Sequence, residues 1–126
     1  MKSIKNLLLL SMTLMVVSCA HTVGSKGSGA ASFVPSLPDV PLPKDFEVDP
    51  TTGSFFDSAE GRIAEMYAAG FKKPEEVTSY YNKTLPQFGW KSEGKSTFSK
   101  DGEVLTIVPE KGQYLTTVKY QLKPSI

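Results

Sequence analysis

Cysteine and histidine are almost missing from this chain of 126 residues, which has one of each, Cys19 and His21. A disulfide within the chain is excluded because it needs two cysteines. A zinc site is not predicted, since structural zinc takes four ligands that are mostly Cys and His. No histidine follows His21, so a Ser-His-Asp or Cys-His catalytic arrangement cannot be built in the part that looks folded. We therefore expect neither a cofactor nor an enzyme.

Motifs for phosphates and a surplus of basic charge are also lacking. The sequence has no Walker-type or dinucleotide-binding glycine motif and no EF-hand spacing. Its 14 basic and 13 acidic residues are well mixed and give a net charge of +1. Because nucleic acid is held through a basic face, no nucleic-acid partner is expected.

The apolar run at the N-terminus is too short to cross a bilayer, which takes about 20 residues. Lys2 and Lys5 precede an apolar stretch from Leu7 to Val17. A basic end followed by a short apolar segment is typical of a secretory signal. We predict that residues 1–18 are a signal peptide. Its removal takes away two lysines and leaves 12 basic and 13 acidic residues, a net charge of about −1.

The sequence Val16-Val17-Ser18-Cys19 resembles the lipobox of bacterial lipoproteins, which signal peptidase II recognises. The resemblance implies recognition of Val16, Val17 and Ser18, cleavage after Ser18, and lipid on Cys19. Two or more acyl chains give stable anchoring where one does not. Ala20 follows the cysteine where retention in the inner membrane would take aspartate, so the resemblance implies the outer membrane. The alternatives are an ordinary signal peptide that ends near a cysteine and a nucleophilic thiol in a linker.

Residues 19–43 change from a Gly/Ser-rich to a Pro-rich composition and have neither helical nor strand periodicity. Such composition is typical of a tether that is first flexible and then extended. The Pro-rich end, "VPSLPDVPLP", has an alternative interpretation as a polyproline docking segment. We place a single small domain at residues 44–124.

One helix is predicted within "KPEEVTSYYNKTLPQFGW". Pro74 suits a first turn, and Glu75 and Glu76 complement the helix dipole. The apolar spacing from Val77 predicts one face against a core. Pro86 should stop the regular helix near Leu85, with a last turn capped by Gly89.

Four strand-like segments follow, separated by Glu93-Gly94, Asp101-Gly102 and Lys111-Gly112, which suit tight turns. This order predicts an antiparallel meander. The last segment alternates, which predicts one buried and one solvated face. The side chains expected on its buried face are Tyr114, Thr116, Val118, Tyr120 and Leu122.

The segment from Ser54 to Ala69 is ambiguous. Asp57 and Glu60 have the spacing of a capping box, and the local composition favours helix. The alternation of Ile63, Glu65 and Tyr67 with small residues instead favours a hairpin that turns near Glu60-Gly61. We favour the hairpin.

The pattern Gly70, Tyr81, Leu85, Pro86, Gly89 and Trp90 resembles a domain of small envelope lipoproteins of unknown function. The resemblance covers roughly residues 44–122. It implies the order β-hairpin, helix, β-meander, and no activity. The predicted fold is thus α+β, an antiparallel sheet with one helix on one face.

Two sets of residues are candidates for a site. Asp57, Glu60 and Glu65 are the carboxylates that a glycan hydrolase would need in one cleft. Tyr80 and Trp90 are the aromatics expected to be partly exposed as a binding surface. Solvated charge and core packing, respectively, are the simpler interpretations of the two sets.

We therefore expect a noncatalytic binding or structural module, anchored to the outer membrane and facing the periplasm. Its expected partners are the membrane, through lipid on Cys19, and another envelope protein or the cell wall. The alternative is a surface-exposed inhibitor or adhesin.

Overall fold

The computed structural model describes residues 32–125, so Cys19 and the predicted recognition residues Val16, Val17 and Ser18 lie outside it. The described chain forms nine strands, one α-helix and one 3₁₀ helix. The elements are β1 (Phe33–Val34), β2 (Leu37–Pro41), β3 (Glu47–Val48), β4 (Ser54–Ser58), β5 (Gly61–Gly70), α1 (Pro74–Thr84), the 3₁₀ helix (Leu85–Phe88), β6 (Lys91–Gly94), β7 (Thr97–Lys100), β8 (Glu103–Lys111) and β9 (Thr116–Pro124).

A seven-stranded antiparallel sheet organises the domain, with strand order β3-β5-β9-β8-β7-β6 and with β4 paired to β5 beside β3. Helix α1 packs on one face, where Val77 and Tyr81 are buried with Val118, Tyr120 and Leu122 of β9. The predicted α+β class, an antiparallel sheet with one helix on one face, is confirmed. The other face of the sheet is not covered by any residue of the described chain between 32 and 125.

The segment from Ser54 to Gly70 is a hairpin, as favoured from its alternation, and not a helix. Strand β4 pairs in regular register with the first half of β5, from Ser54 opposite Glu65 to Ser58 opposite Gly61. The other edge of β5 pairs with β9 over seven residues, from Ala64 to Gly70. Pairing on both sides satisfies the backbone of β5 and buries Ala64 and Ala68, which outweighs their helix propensity.

Helix α1 begins and ends as the sequence predicts. The Glu76 carboxylate accepts a hydrogen bond from the Lys73 backbone N–H, 2.7 Å away, which satisfies one backbone donor at the start of the helix. The α-helix ends at Thr84, because Pro86 cannot donate to the preceding turn. Gly89 ends the following 3₁₀ turn with φ of 87°, a left-handed conformation that strains any residue with a Cβ.

The meander also follows the prediction, but only one of its three turns lies where it was predicted. The connection from β8 to β9 is a four-residue loop, residues 112–115, and not a tight turn at Lys111-Gly112. Asp101 and Gly102 both have positive φ, as a tight hairpin turn requires. The first turn lies at Lys95-Ser96, which have φ of 48° and 59°, so its placement at Glu93-Gly94 was wrong. Gly94 is instead used in the irregular pairing between β6 and β7, where the register shifts between Ser92 and Gly94.

The prediction that residues 19–43 form a tether is wrong for the described part of that segment. Val34 is 2% exposed, and Leu37 and Val40 are 0% exposed. Prolines lie between these three residues and mask their spacing of three as a packing pattern. β1 and β2 form a small two-stranded unit that lies against the core, so the folded domain includes Ser32 and does not begin at Lys44. The burial of Val34, Leu37 and Val40 argues against the alternative of a free polyproline docking segment.

None of the helical segments within residues 32–125 has the length and apolar character needed to cross a membrane.

Candidate binding surfaces

The aromatic pair predicted to be partly exposed does not form one surface. Trp90 is 2% exposed, and its indole N–H donates to the Asp39 carbonyl oxygen at 3.0 Å. Its expected exposure is therefore wrong, because the docked N-terminal segment covers the ring. Tyr80 is half-buried and packs edge-on against Tyr81, with ring centroids 5.0 Å apart. Burial raises the pKa of Tyr80.

The three candidate carboxylates do not share a cleft. Asp57 lies opposite Arg62, whereas Glu65 lies opposite Ser54. Side chains alternate along a strand, so Asp57 and Glu65 point to opposite faces of the sheet. Glu60 lies in the exposed turn between β4 and β5. No group of three His, Cys, Asp or Glu side chains fit to hold a metal ion occurs among residues 32–125.

Glu65 belongs to a polar cluster on the uncovered face of the sheet. Its Oε1 accepts a hydrogen bond from the Tyr67 hydroxyl at 2.7 Å, and its Oε2 lies 3.1 Å from Lys119 Nζ. The Tyr67 hydroxyl and then Lys119 lower the pKa of Glu65, while Glu65 raises the pKa of Lys119. These groups satisfy one another across β5 and β9. The cluster is therefore explained as a solvated cross-strand pair without any ligand.

A second charged cluster fixes the N-terminal segment to the sheet. Arg62 binds both oxygens of the Glu103 carboxylate, the shortest contact being 2.6 Å from Nη2 to Oε2. Asp39 of β2 accepts from Lys100 Nζ at 3.0 Å and lies 3.8 Å from Arg62. Two acids and two bases balance in charge. The arrangement explains how Asp39 is held among strands far away in sequence, and it leaves no surplus charge for a substrate.

The most exposed large side chains lie at the N-terminal end of α1. Phe71 is 80% exposed and follows directly on β5, and Tyr114 is 82% exposed in the loop between β8 and β9. Gly70 pairs with Thr116, so the sheet itself brings the two aromatic residues to one rim. Tyr114 was predicted to lie on the buried face of the last strand. That prediction was wrong because β9 begins only at Thr116.

Between the two aromatic residues lies a pocket of about 450 Å³. Lysines 72 and 73 line it from the loop before α1, and Lys111 lines it from the end of β8. We call Phe71, Tyr114 and these three lysines the aromatic rim. Glu75 also lines the pocket, so the lining carries a net positive charge that includes one carboxylate. The Lys73 backbone N–H, at the start of α1, already donates to the Glu76 carboxylate.

The loop that carries Tyr114 has a defined shape. The backbone N–H of Gly112 donates to the Leu115 carbonyl oxygen at 2.8 Å, which closes the loop. A Cβ at Gly112 would come within 2.6 Å of that same oxygen, so a glycine is needed for the close approach. The Gln113 side chain donates to the Tyr114 hydroxyl at 3.2 Å. Loop closure thus fixes the Tyr114 backbone beside the pocket.

Comparison of the chain with protein-family models, with curated proteins and with solved structures gave no match. The resemblance of the domain to envelope lipoproteins therefore stays a prediction. So does lipidation of Cys19, which lies outside the described residues.

Proposed function

We propose that this chain is a lipid-anchored lipoprotein of the bacterial outer membrane whose domain is a noncatalytic binding module facing the periplasm. Its partner is a second envelope protein that presents apolar and acidic side chains. The resemblance of Val16–Cys19 to a lipobox supports the anchor, and the aromatic rim supports the binding role.

The observation that carries the binding role is the exposure of Phe71 and Tyr114, 80% and 82%. Large aromatic side chains left in water on either side of a pocket are a feature of protein interfaces, where such rings become the dominant anchors. Burying one such ring removes of the order of 150 to 250 Å² from water. Isolated exposed apolar residues need no explanation, but two at one rim around a concave surface do.

The lysines of the aromatic rim favour a protein partner with acidic side chains. Lys72, Lys73 and Lys111 have no salt-bridge partner among residues 32–125. Exposed charges at the edge of an interface steer association and select partners more than they add affinity. A partner with apolar side chains that fill the pocket would bury the two aromatic rings. Acidic side chains around them would pair with the three lysines.

Site-specific photocrosslinking in cells tests the binding role. The full chain carries a photoreactive amino acid at Tyr114, and a matched chain carries it at Gln121, which is exposed on the uncovered sheet face. We expect one discrete protein adduct from position 114 and none from position 121. Phe71→Ser should remove the adduct while the amount of protein stays the same. Adducts only with cell-wall polymer, or equal adducts from both positions, would contradict a protein partner at this rim.

The anchor is tested separately with Cys19→Ser in the full chain. We expect the variant to keep its signal peptide, to lose acyl-chain labelling, and to leave the outer-membrane fraction. A variant that still matures and remains in that fraction would contradict lipidation. Protease treatment of intact cells distinguishes the periplasmic orientation from surface display, because only a surface domain is cut.

A further inference from the structure

The two edges of the large sheet differ in how they are protected against pairing with another chain. Strand β6 carries Lys91 and Glu93, is four residues long, and is irregular between Ser92 and Gly94. Charges, short length and bulges are the usual protections of an edge strand. Strand β4 is only one residue longer and carries one carboxylate, but it has no bulge: it reads Ser-Phe-Phe-Asp-Ser, pairs regularly with β5, and all five residues are exposed.

The pairing of β5 shows which backbone groups of β4 are free. The Tyr67 carbonyl oxygen accepts from the Asp49 N–H, so odd-numbered residues of β5 direct their backbone groups toward β3 and β4. Ile63 and Glu65 therefore bond to Phe56 and Ser54, which lie opposite them. Bonding alternates along an antiparallel strand. The N–H and C=O groups of Phe55 and Asp57 consequently point away from the sheet.

We propose that β4 pairs with β4 of a second copy of this chain, antiparallel and centred on Phe56, to join two sheets across a two-fold axis. In this register Phe55 of each copy lies opposite Asp57 of the other, so the free backbone groups of both residues are bonded in pairs. Ser54 lies opposite Ser58. The pairing satisfies every outward backbone group from Phe55 to Asp57.

The side chains select this register among those that keep the faces of the sheets aligned. The central pair brings two Phe56 rings together on the uncovered face, where each ring is 65% exposed in the single chain. At a non-bonded antiparallel pair the Cα atoms are about 4.5 Å apart, which lets the rings touch. A shift one way places two Asp57 carboxylates against each other. A shift the other way places two Phe55 rings opposite each other on the helix-covered face, where each is 41% exposed, but it separates the more exposed Phe56 rings and extends pairing to Gly53, which precedes β4.

A second copy fits this edge better than an unrelated peptide because the strand is its own complement. Its five residues pair serine with serine at both ends and Phe56 with Phe56 at the centre, and between them Phe55 and Asp57 pair through their free backbone groups. A closed two-fold pairing also ends growth, since it uses the β4 edge of both copies and leaves outside only the protected β6 edges and the two-residue strand β3. The association is independent of the aromatic rim and of lipid on Cys19.

Disulfide trapping tests the pairing in the full chain, with Cys19→Ser so that each added cysteine is the only thiol. Phe56→Cys should oxidise to a covalent dimer, because the Cα separation suits a disulfide. Ser92→Cys on the β6 edge is the matched control and should remain a monomer. Ser54→Cys mixed with Ser58→Cys should crosslink, and Ser54→Cys alone should not. Crosslinking through Ser92→Cys to the same extent, or through Ser54→Cys alone, would overturn the proposal.

Sedimentation of the detergent-solubilised Cys19→Ser chain gives a second measurement without added thiols. We expect a particle of twice the chain mass and loss of that dimer in Phe56→Lys. Ile63→Lys is its control, since Ile63 lies opposite Phe56 on the same face but not at the edge, and it should leave the dimer intact. A cooperative thermal transition and the same far-ultraviolet circular dichroism spectrum verify that both variants fold, whereas their melting temperatures should differ because association stabilises the folded state. A monomeric parent chain, or a dimer that survives Phe56→Lys, would overturn the proposal.

Discussion

The hydroxyl groups of Tyr81 and Tyr120 lie 2.7 Å apart in the core. Tyr81 also lies 2.8 Å from the Pro41 carbonyl oxygen, to which its hydroxyl donates. The proton between the two rings therefore comes from Tyr120. Because Tyr81 is on α1, Tyr120 on β9 and Pro41 on β2, this chain of two bonds joins the helix, the large sheet and the small two-stranded unit. Because the bonds run in one direction, Tyr81 both donates and accepts, whereas Tyr120 only donates.

Tyr81→Phe should destabilise the domain more than Tyr120→Phe. Loss of the Tyr81 hydroxyl leaves both the Pro41 carbonyl and the Tyr120 hydroxyl without a partner, which costs about 1 to 3 kcal/mol. Loss of the Tyr120 hydroxyl leaves Tyr81 still bonded to Pro41, and costs about 0.5 to 1.5 kcal/mol. Urea unfolding measures both values. A larger loss for Tyr120→Phe would contradict the assigned direction of the bonds.

Alkaline pH should unfold the domain through the same pair. Burial is the largest cause of the raised pKa of Tyr81 and of Tyr120. Each favours its neutral form when folded, so stability is full below the unfolded value near pH 10 and falls as pH rises above it. The free energy of unfolding should fall by up to about 1.4 kcal/mol per pH unit for each tyrosine. Tyr120→Phe should make the fall shallower, and an unchanged slope would contradict this cause.

Acid should weaken the contact between Arg62 and Glu103. Hydrogen bonds from Arg62 lower the pKa of Glu103 below its ordinary 4.5. The contribution of a carboxylate with a lowered pKa is present above the unfolded value and is lost as pH falls through the folded one. Glu103→Gln should therefore flatten the loss of stability that develops as pH falls below 4.5. Glu110→Gln, at an exposed position of the same strand, is the control and should keep the parent's curve.

The segment before residue 44 should contribute to stability as a core element. Leu37→Ala removes a side chain that is 0% exposed and should cost about 2 to 5 kcal/mol. Pro38→Ala changes the exposed neighbour and should cost little. Thermal or urea unfolding compares the two. If Leu37→Ala melts like the parent, the segment is not packed as described.

The sequence predicts the elements whose local signals agree with the global fold. The helix was predictable because Pro74, Pro86 and Gly89 mark its limits and its apolar face is periodic. The hairpin at Ser54–Gly70 was predictable only if the alternation of large and small side chains was given more weight than the helix propensity of the residues. The N-terminal strands were missed because prolines mask the spacing of Val34, Leu37 and Val40. Only the completed sheet provides the surface that holds them.

The candidate surfaces were harder to predict than the fold. Trp90 and Phe71 are both aromatic residues next to a glycine, yet one is covered and the other is exposed. The difference arises because Asp39 of the N-terminal segment reaches the Trp90 ring, a contact between residues far apart in the sequence. Exposure of Tyr114 depends on where β9 starts, which the alternation of side chains alone did not define.

Docking of residues 32–43 limits how far the domain can travel from its proposed anchor. Only residues 20–31 then separate Cys19 from the first residue of the fold. At no more than about 3.5 Å per residue, a fully stretched connection measures roughly 45 Å. The domain would thus stay within that distance of the bilayer surface, and it could not contact a partner that lies farther from the lipid.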